Sequence, residues 1–176
     1  MIIISAMTTD RAIGTCDGMP WNVPEEYAQY LRFVAGQTVI MGRISFEIFG
    51  ADLPPDTTSV VISRKAQIAC DHVAHNLDDA LSFAKETGKI VFVAGGSSIY
   101  AAAMPRATEM YLSTIKGDFT GDKFFPEFDA ADWRIEEERD EPNYVFRHYV
   151  RTQQSRGTRI NEFHLQPAHS PTSRGT

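Results

Sequence analysis

The sequence predicts an α/β fold, a three-layer sandwich in which helices flank a central and mainly parallel sheet. Two observations lead to this prediction. Helical patterns alternate with short apolar runs, as in parallel strands joined by helices. The runs are rich in β-branched residues and apolar on both alternating faces, which is typical of strands covered on both sides. They span residues 1–7, 38–42, 59–63 and 89–96.

The helical patterns have recognisable ends. In residues 24–34, aromatic and apolar side chains recur at i, i+3, i+4 and i+7 from Tyr27 onward, and Pro24 suits a first turn. Residues 77–88 open with acids, which the helix dipole favours, and close on Gly88. Both patterns predict helices that separate the strands.

The second half of the chain predicts further strands. Residues 109–117 read as one strand, and residues 133–141 and 144–152 read as a closing antiparallel pair joined by Pro142 and Asn143. We therefore expect about eight strands in the sheet, the last of them antiparallel.

The end of the chain differs from the rest in composition. Residues 152–176 are polar, lose periodicity and carry scattered Pro, Gly and Ser. We predict one domain over residues 1–151, followed by a flexible tail. The alternative is an arm that docks on a neighbouring subunit through Phe163 and Leu165.

Composition limits the function. A net charge of −6 and a pI of about 5.3 argue against nucleic acid or an anionic membrane as the main partner. Cys16 and Cys70 give neither a metal-binding spacing nor a disulfide framework, which favours a reducing compartment. The first apolar run is too short to span a membrane and lacks the features of a signal peptide. We expect a cytoplasmic monomer without a bound metal.

Three of the apolar runs end in residues suited to anions. Glycine allows close backbone approach, and the first N–H groups of a helix favour phosphate. Arg43 and Arg64 follow neighbouring runs and could clamp one further phosphate. Any one of these ends could be an ordinary turn with a solvated arginine, but the three together favour a phosphorylated dinucleotide. The G-x-G-x-x-G fingerprint is absent, so a standard Rossmann domain is not supported. The three groups are Gly42, Arg43 and Ser45; Ser63, Arg64 and Lys65; and Gly95, Gly96, Ser97 and Ser98.

The segment GMPWNVPEE, residues 18–26, combines a stiff loop, an aromatic side chain and acids. Trp21 lies between two prolines, and Glu25 and Glu26 follow at the start of a helix. From these residues alone, Glu26 is either a solvent-facing acid of the first turn or the acid of a pocket walled by the aromatic ring.

Over residues 1–151 the chain resembles the dihydrofolate reductase family, and several motifs carry the resemblance in that family's order and spacing. They are DRAIG (10–14), MPWNVPEE (19–26), VIMGRISFE (39–47), VVISR (60–64), VAGGSSIY (93–100), MYLSTI (110–115) and GDKFFPEF (121–128).

The resemblance implies a reaction: NADPH reduces 7,8-dihydrofolate to tetrahydrofolate, with hydride going to C6 and a proton to N5. Met19, Pro20 and Trp21 would form a lid over the nicotinamide that excludes water. Glu26 would be the acid of the pterin slot, supported by the hydroxyl of Ser113, and burial should raise its pKa.

The resemblance also assigns the remaining positions and implies a cis peptide bond between Gly95 and Gly96. On the substrate side they are Ser5, Ala6, Tyr27, Tyr30, Phe49, Leu53 and Ala94. On the cofactor side they are Ala6, Ile13, Gly14, Gly18 and Met19 at the nicotinamide; Gly42, Arg43, Ser45, Ser63 and Arg64 at the adenosine; and Gly95, Gly96, Ser97, Ser98, Ile99 and Tyr100 at the pyrophosphate.

One departure from the family pattern bears on the substrate. Asp56 stands where the family has an arginine that grips the glutamate tail of folate, and Arg32 could compensate in part. Two alternatives therefore stay open. One is a reductase of the same fold acting on a pterin or pyrimidine without that tail. The other is a non-catalytic module that binds NADPH or a pterin.

Overall fold

The computed structural model describes residues 1–15, 17–65 and 67–152. The predictions made for Cys16 and for the tail beyond Thr152 lie outside these residues. In this part of the chain the strands are β1 (Ile2–Met7), β2 (Ala12–Gly14), β3 (Thr38–Gly42), β4 (Thr58–Ile62), β5 (His72–Ala74), β6 (Val91–Val93), β7 (Glu109–Ile115), β8 (Lys123–Phe124), β9 (Trp133–Asp140) and β10 (Tyr144–Arg151). The α-helices are α1 (Pro24–Val34), α2 (Arg43–Phe49), α3 (Leu77–Glu86) and α4 (Ser97–Ala103).

Eight of the strands form one sheet in the order β5-β4-β3-β6-β1-β7-β10-β9. The pairs from β5 to β7 are parallel, whereas β10 runs antiparallel to both β7 and β9. The predicted mainly parallel sheet with an antiparallel end is therefore confirmed. β2 and β8 form a separate antiparallel pair.

The apolar runs fill the two faces of the sheet. Ile3, Ile40 and Met110 are fully buried in one core cluster. On the opposite face, Val39 and Phe92 are buried in a second cluster. Alternate residues of β3 thus point to different cores, as strands covered on both sides require.

The structure differs from the sequence prediction where backbone geometry outweighs composition. The fourth run forms a strand only over Val91–Val93, because a cis bond joins Gly95 to Gly96 and α4 begins at once at Ser97. Three short strands, β2, β5 and β8, have no sequence pattern of their own, since two or three residues are too few to show periodicity.

Helix α1 has the predicted bounds but buries a different face. Its most buried residues are Glu26, Gln29 and Val34, whereas Tyr27 and Leu31 are half-buried. Two polar side chains thus lie against the sheet where the hydrophobic pattern placed apolar ones. Burial of such groups requires hydrogen-bond partners, and the site described below provides them.

Helix α3 begins at Leu77, as predicted, and Asn76 caps its first turn. The side chain of Asn76 accepts a hydrogen bond from the backbone N–H of Asp79, which satisfies one of the free donors of the first turn. Along the described ranges, no helix is both long and apolar enough to cross a bilayer.

Candidate active site

A cleft of about 610 Å³ opens at the carboxyl ends of β1, β3 and β6. Ligands of open α/β sheets bind at this edge, where the strand order reverses. Helices α1, α2 and α4 provide the other walls. The lining residues are Ile4, Ser5, Ala6, Ile13, Met19, Glu26, Tyr27, Tyr30, Met41, Ser45, Phe49, Ala94, Gly95, Gly96 and Tyr100. Most of these residues belong to the predicted site, and Ile4 and Met41 were missed because they read as ordinary strand residues.

Glu26 carries the one carboxylate among the described residues that line the cleft. It is only 5 % exposed. Burial raises the pKa of this carboxyl, while a hydrogen bond from the Ser113 hydroxyl opposes the rise. Ser113 lies on β7 directly beside Ala6 of β1, so the parallel pairing of these strands brings it to the floor of the site. Of the two alternatives left open by the sequence, Glu26 is therefore the acid of a pocket and not a solvent-facing acid.

The aromatic residues of α1 and α2 form one side wall. The rings of Tyr27 and Tyr30 are stacked with centroids 5.8 Å apart, and Phe49 lies 6.2 Å from Tyr27. The Tyr27 hydroxyl donates to Oδ2 of Asp52 at 2.8 Å, which joins α1 to the turn after α2. Burial raises the pKa of both tyrosines, so both stay protonated at neutral pH.

Trp21 does not line the cleft. Its ring is buried against Ile115, Tyr144 and Phe146, with the Phe119 ring centroid 6.1 Å away. Its indole Nε1 is buried without a partner among the described atoms. From the same loop, Met19 is the residue that reaches the cleft.

The paired glycines form a tight backbone bend beside β3. The peptide bond between Gly95 and Gly96 is cis, which confirms the prediction. The N–H of Gly42 donates to the carbonyl of Gly95 at 2.7 Å. A Cβ on Gly42 would lie 3.3 Å from Ile99 Cγ1, and one on Gly95 would lie 3.3 Å from Ser45 Oγ. The bend therefore has little room for side chains.

The residues after this bend begin α4. The Ser97 hydroxyl is buried and has no partner among the described residues, whereas Ser98 is exposed. Tyr100 is buried and its hydroxyl donates to the Ile4 carbonyl at 2.8 Å, which ties α4 to β1.

The two predicted clamp arginines follow neighbouring strands in register. Gly42, just before Arg43, pairs with Ile62 of β4, and Arg64 comes two residues after Ile62. Arg43 donates to both carboxylate oxygens of Glu47 at 2.6 and 2.7 Å, and Arg64 is exposed. The hydroxyl of Ser63 accepts from the backbone N–H of Lys65 at 2.9 Å.

The loop beside β2 is held by backbone contacts. Thr15 donates its N–H to the Gly18 carbonyl at 2.8 Å, and Asp122 donates its N–H to the Gly14 carbonyl at 3.1 Å. A Cβ on Gly121 would lie only 2.6 Å from the Gly14 carbonyl oxygen. These contacts hold Ile13 at the cleft.

Three residues discussed for the substrate side lie outside the lining of the cleft: Leu53, predicted for the slot wall, and Arg32 and Asp56, which bear on the glutamate tail. Leu53 packs into the core cluster below the sheet, and Arg32 is exposed on the last turn of α1. Asp56 is exposed at the corner of a turn, with φ of 64° and the Thr57 N–H donating to the Pro54 carbonyl at 3.2 Å. Its backbone carbonyl accepts from Lys89 Nζ at 2.6 Å.

Over the ranges that the structure describes, no three His, Cys, Asp or Glu side chains come together in a way that could hold a metal ion. The fold and the site define an α/β enzyme with a substrate cleft at the carboxyl ends of parallel strands and one buried acid inside it.

Comparison with known proteins gives the family. A family model described as dihydrofolate reductase matches residues 1–153, so the chain belongs to the dihydrofolate reductase family. The chain is 34 % identical to the dihydrofolate reductase of Neisseria meningitidis serogroup A over 158 residues, which cover 85 % of this chain and 96 % of that protein. It is 36 % identical to dihydrofolate reductase type A13 of Escherichia coli over 135 residues, which cover 76 % and 81 %.

A solved structure shares the fold. It is dihydrofolate reductase from Enterococcus faecalis complexed with NADP(H) and RAB-propyl, with a TM-score of 0.76 and 25 % sequence identity. The match covers 85 % of this chain and 95 % of that one.

Proposed function

We propose that this chain reduces 7,8-dihydrofolate to 5,6,7,8-tetrahydrofolate with NADPH. The observation that carries the proposal is the buried carboxylate of Glu26 in a cleft whose other lining residues are mostly apolar or aromatic. A pterin presents an amino group and a ring N–H, and the two oxygens of one carboxylate can accept hydrogen bonds from both. Family membership supports the same reaction.

The glycine-rich edge of the cleft fits the cofactor. The bend at Gly95 and Gly96 leaves the backbone open to close approach, and the buried Ser97 hydroxyl lacks a partner that an oxygen of a pyrophosphate would supply. We assign the pyrophosphate to Gly95, Gly96, Ser97, Ser98, Ile99 and Tyr100. We assign the adenosine side to Gly42, Arg43, Ser45, Ser63 and Arg64.

The nicotinamide side would be held by the loop and strand ends next to the acid. Ala6, Ile13 and Met19 line the cleft there, and Gly14 and Gly18 shape the loop that carries them. Bound NADPH supplies the hydride that adds to C6 of the substrate. Side chains that exclude water from this region keep the transfer in an environment of low dielectric.

Glu26 orients the substrate and supplies the route for the proton that N5 gains. Because burial raises its pKa, the carboxyl can hold a proton closer to neutral pH than an exposed glutamate does. It would act through a tautomer of the pterin or through a bound water, because the resemblance to the family implies that the acid does not contact N5. Ser113 supports the carboxylate, and Trp21 backs the loop that carries Met19.

The slot for the pterin and its aromatic extension would be formed by Ser5, Ala6, Tyr27, Tyr30, Phe49 and Ala94, all of which line the cleft. The hydroxyls of Tyr27 and Tyr30 make this slot more polar than apolar side chains would. Arg32, in the last turn of α1, is the cation that could compensate in part for Asp56. We further propose a cytoplasmic protein that acts as a monomer; Cys16 and Cys70 offer no disulfide framework, which supports a reducing compartment.

A second candidate substrate is a pterin without a glutamate tail. Two carboxylates favour it: Asp52, bonded to Tyr27 at the edge of the slot, and Asp56 in the exposed turn beyond it. Negative charge in this region repels a glutamate tail. A steady-state assay of NADPH oxidation decides between the candidates, with dihydrofolate set beside dihydropteroate and dihydrobiopterin. A higher kcat/KM for dihydrofolate supports the main proposal, and a higher value for dihydrobiopterin contradicts it. No turnover with any of the three would point to a binding module.

A further inference from the structure

A buried glutamine lies behind the catalytic acid. Gln29 is one turn after Glu26 on the same face of α1 and is 3 % exposed. Its Nε2 donates to the Ser113 hydroxyl at 3.4 Å, and this hydroxyl is the group that opposes the rise in the pKa of the buried Glu26 carboxyl. The sequence prediction included Glu26 and Ser113 but not Gln29, because a glutamine in a helix carries no signal of its own.

The other end of the Gln29 amide is fixed by the hairpin of β9 and β10. Arg139 on β9 donates to Gln29 Oε1 at 2.8 Å, and the Tyr144 hydroxyl on β10 donates to the same oxygen at 3.3 Å. A guanidinium can only donate, so the amide atom facing it must be the oxygen. The NH₂ of Gln29 is thereby turned toward Ser113.

This orientation fixes the direction of the next bond. A serine hydroxyl has one hydrogen to donate. Because the Ser113 oxygen accepts from Gln29, its hydrogen is free to donate to the Glu26 carboxylate. Every donor in the series from Arg139 through Gln29 and Ser113 therefore points toward Glu26, and hydrogen bonds in such a series strengthen one another.

We propose that Gln29 is a positioning residue of the enzyme. Held by Arg139 and Tyr144, its amide directs the Ser113 hydroxyl onto Glu26 and so sets how readily this acid binds and releases its proton. The inference rests on the proposed role of Glu26 but adds a connection to the β9–β10 hairpin, whose residues do not line the cleft.

The position of Arg139 supports this role. Its guanidinium lies over the Phe146 ring, 4.5 Å from the centroid, and Glu137 and Glu141 lie 2.8 and 3.5 Å from its nitrogens. These contacts hold the charge in place at the edge of the sheet. Removing one donor of a buried series leaves the next group unpaired, and such a defect is felt along the series.

Other titratable groups face Glu26 from the elements packed around it. They are Tyr30 of α1, Tyr100 of α4 and Tyr144 of β10, and their pKa values are raised by burial. They stay protonated through the range in which a carboxyl titrates. Glu25 and Arg32 lie on α1 itself, and Glu25 is exposed and bonded to Asn143. In acid and neutral solution Glu26 is thus the member of this group that changes charge at the cleft.

The test is the titration of Glu26 in the ligand-free protein. Carbon-13 NMR of glutamate-labelled protein reports the carboxyl directly, and Glu26→Gln identifies its signal. We expect Gln29→Met to shift the titration midpoint upward, because the Ser113 hydroxyl is no longer directed at the carboxylate. Arg139→Met should shift it in the same direction by less. In a Ser113→Ala background, Gln29→Met should add no further shift.

Asn143→Ala is the matched control, since it removes the bond from the same hairpin to Glu25 and leaves the Gln29 series intact. Its midpoint should equal that of the wild type. The proposal is overturned if Gln29→Met leaves the midpoint unchanged, if the shift persists without Ser113, or if Asn143→Ala shifts it equally. Should Gln29→Met fail to fold, Arg139→Met decides by the same criteria. Because no substrate is present, these outcomes are independent of whether dihydrofolate is the substrate.

Discussion

At the scale of single residues, Glu26 shows how the site obtains an acid suited to its reaction. The carboxyl is buried in a cleft lined mostly by apolar and aromatic residues, and burial disfavours its charged form. Ser113 supplies one compensating bond. The balance of these two effects raises the pKa of Glu26, so its carboxyl holds a proton to a higher pH than an exposed glutamate does.

Glu26→Gln should lower turnover by about 100-fold or more, the range usual for acid–base groups, because the amide cannot hold the proton. Much of the loss should return at low pH, where the substrate is already protonated. The measurement is kcat for dihydrofolate across the pH range. Glu25→Gln is the control, since Glu25 is exposed, and its rate should stay close to that of the wild type. A Glu26→Gln enzyme with normal turnover would remove the assigned role.

Glu26→Gln should lower turnover but raise the free energy of unfolding at neutral pH. A carboxyl whose folded pKa is raised destabilises the folded state above that pKa, and this destabilisation disappears as the pH falls to the unfolded pKa of about 4.3. Glu26→Gln should therefore be more stable than the wild type at pH 7 to 8, and the gap should narrow on acidification. Urea unfolding of both proteins at several pH values measures this difference. A gap that widens toward acid would contradict the sign of the shift.

At the scale of elements, the ends of β3 and β4 bring two arginines to the same edge of the sheet. These strands are parallel neighbours in register, so the residues that follow them emerge side by side. Arg43 forms an ion pair with Glu47, and a partly exposed ion pair of this kind contributes about 1 kcal/mol or less. The arginine can therefore exchange this partner for a phosphate at small cost.

Replacing both Arg43 and Arg64 by Ala should weaken the binding of NADPH by about 100-fold, because two charge-assisted hydrogen bonds of about 1.5 kcal/mol each are lost. NADH lacks the 2′-phosphate, and its KM should change by less than about 3-fold if the arginines contact that phosphate alone. The KM values for the two cofactors provide the test. Arg106→Ala is the control, because it breaks an ion pair between Arg106, which follows α4, and Asp78 of α3. Equal losses for NADPH and NADH would rule out the clamp.

At the scale of the whole molecule, the end of β10 and the residue after it are tied to the preceding part of the chain. Arg151 donates to the carbonyls of Ala107 and Met104 at 2.7 and 2.5 Å, and its guanidinium lies 4.1 Å from the Trp133 ring centroid. Thr152 donates its N–H to the Asp132 carbonyl. These contacts anchor Arg151 and Thr152 to the described part of the chain, and the domain boundary after Arg151 stays a prediction.

A chain truncated after residue 153 should fold and keep its activity. Because the anchoring contacts of Arg151 and Thr152 remain, we expect a change of less than about 0.5 kcal/mol in the free energy of unfolding. This corresponds to about 2 °C or less in Tm. Thermal unfolding and kcat/KM of the two chains check this. A marked loss of either quantity would assign a role to the tail and favour the docking arm over the flexible segment.

The sequence by itself predicted the strand-and-helix order and the glycine-rich strand ends, because these depend on local composition. The cis bond and the buried acid of α1 were predicted only through the resemblance to a family, since the residues around Glu26 also fit a solvent-facing acid. Side-chain directions across the sheet depend on tertiary structure. Trp21 packs against β10, and Gln29 meets Ser113 across 84 residues and Arg139 across 110. Contacts of this kind arise only when β7 and β10 pair beside β1, because strand order and register place residues that no local pattern relates.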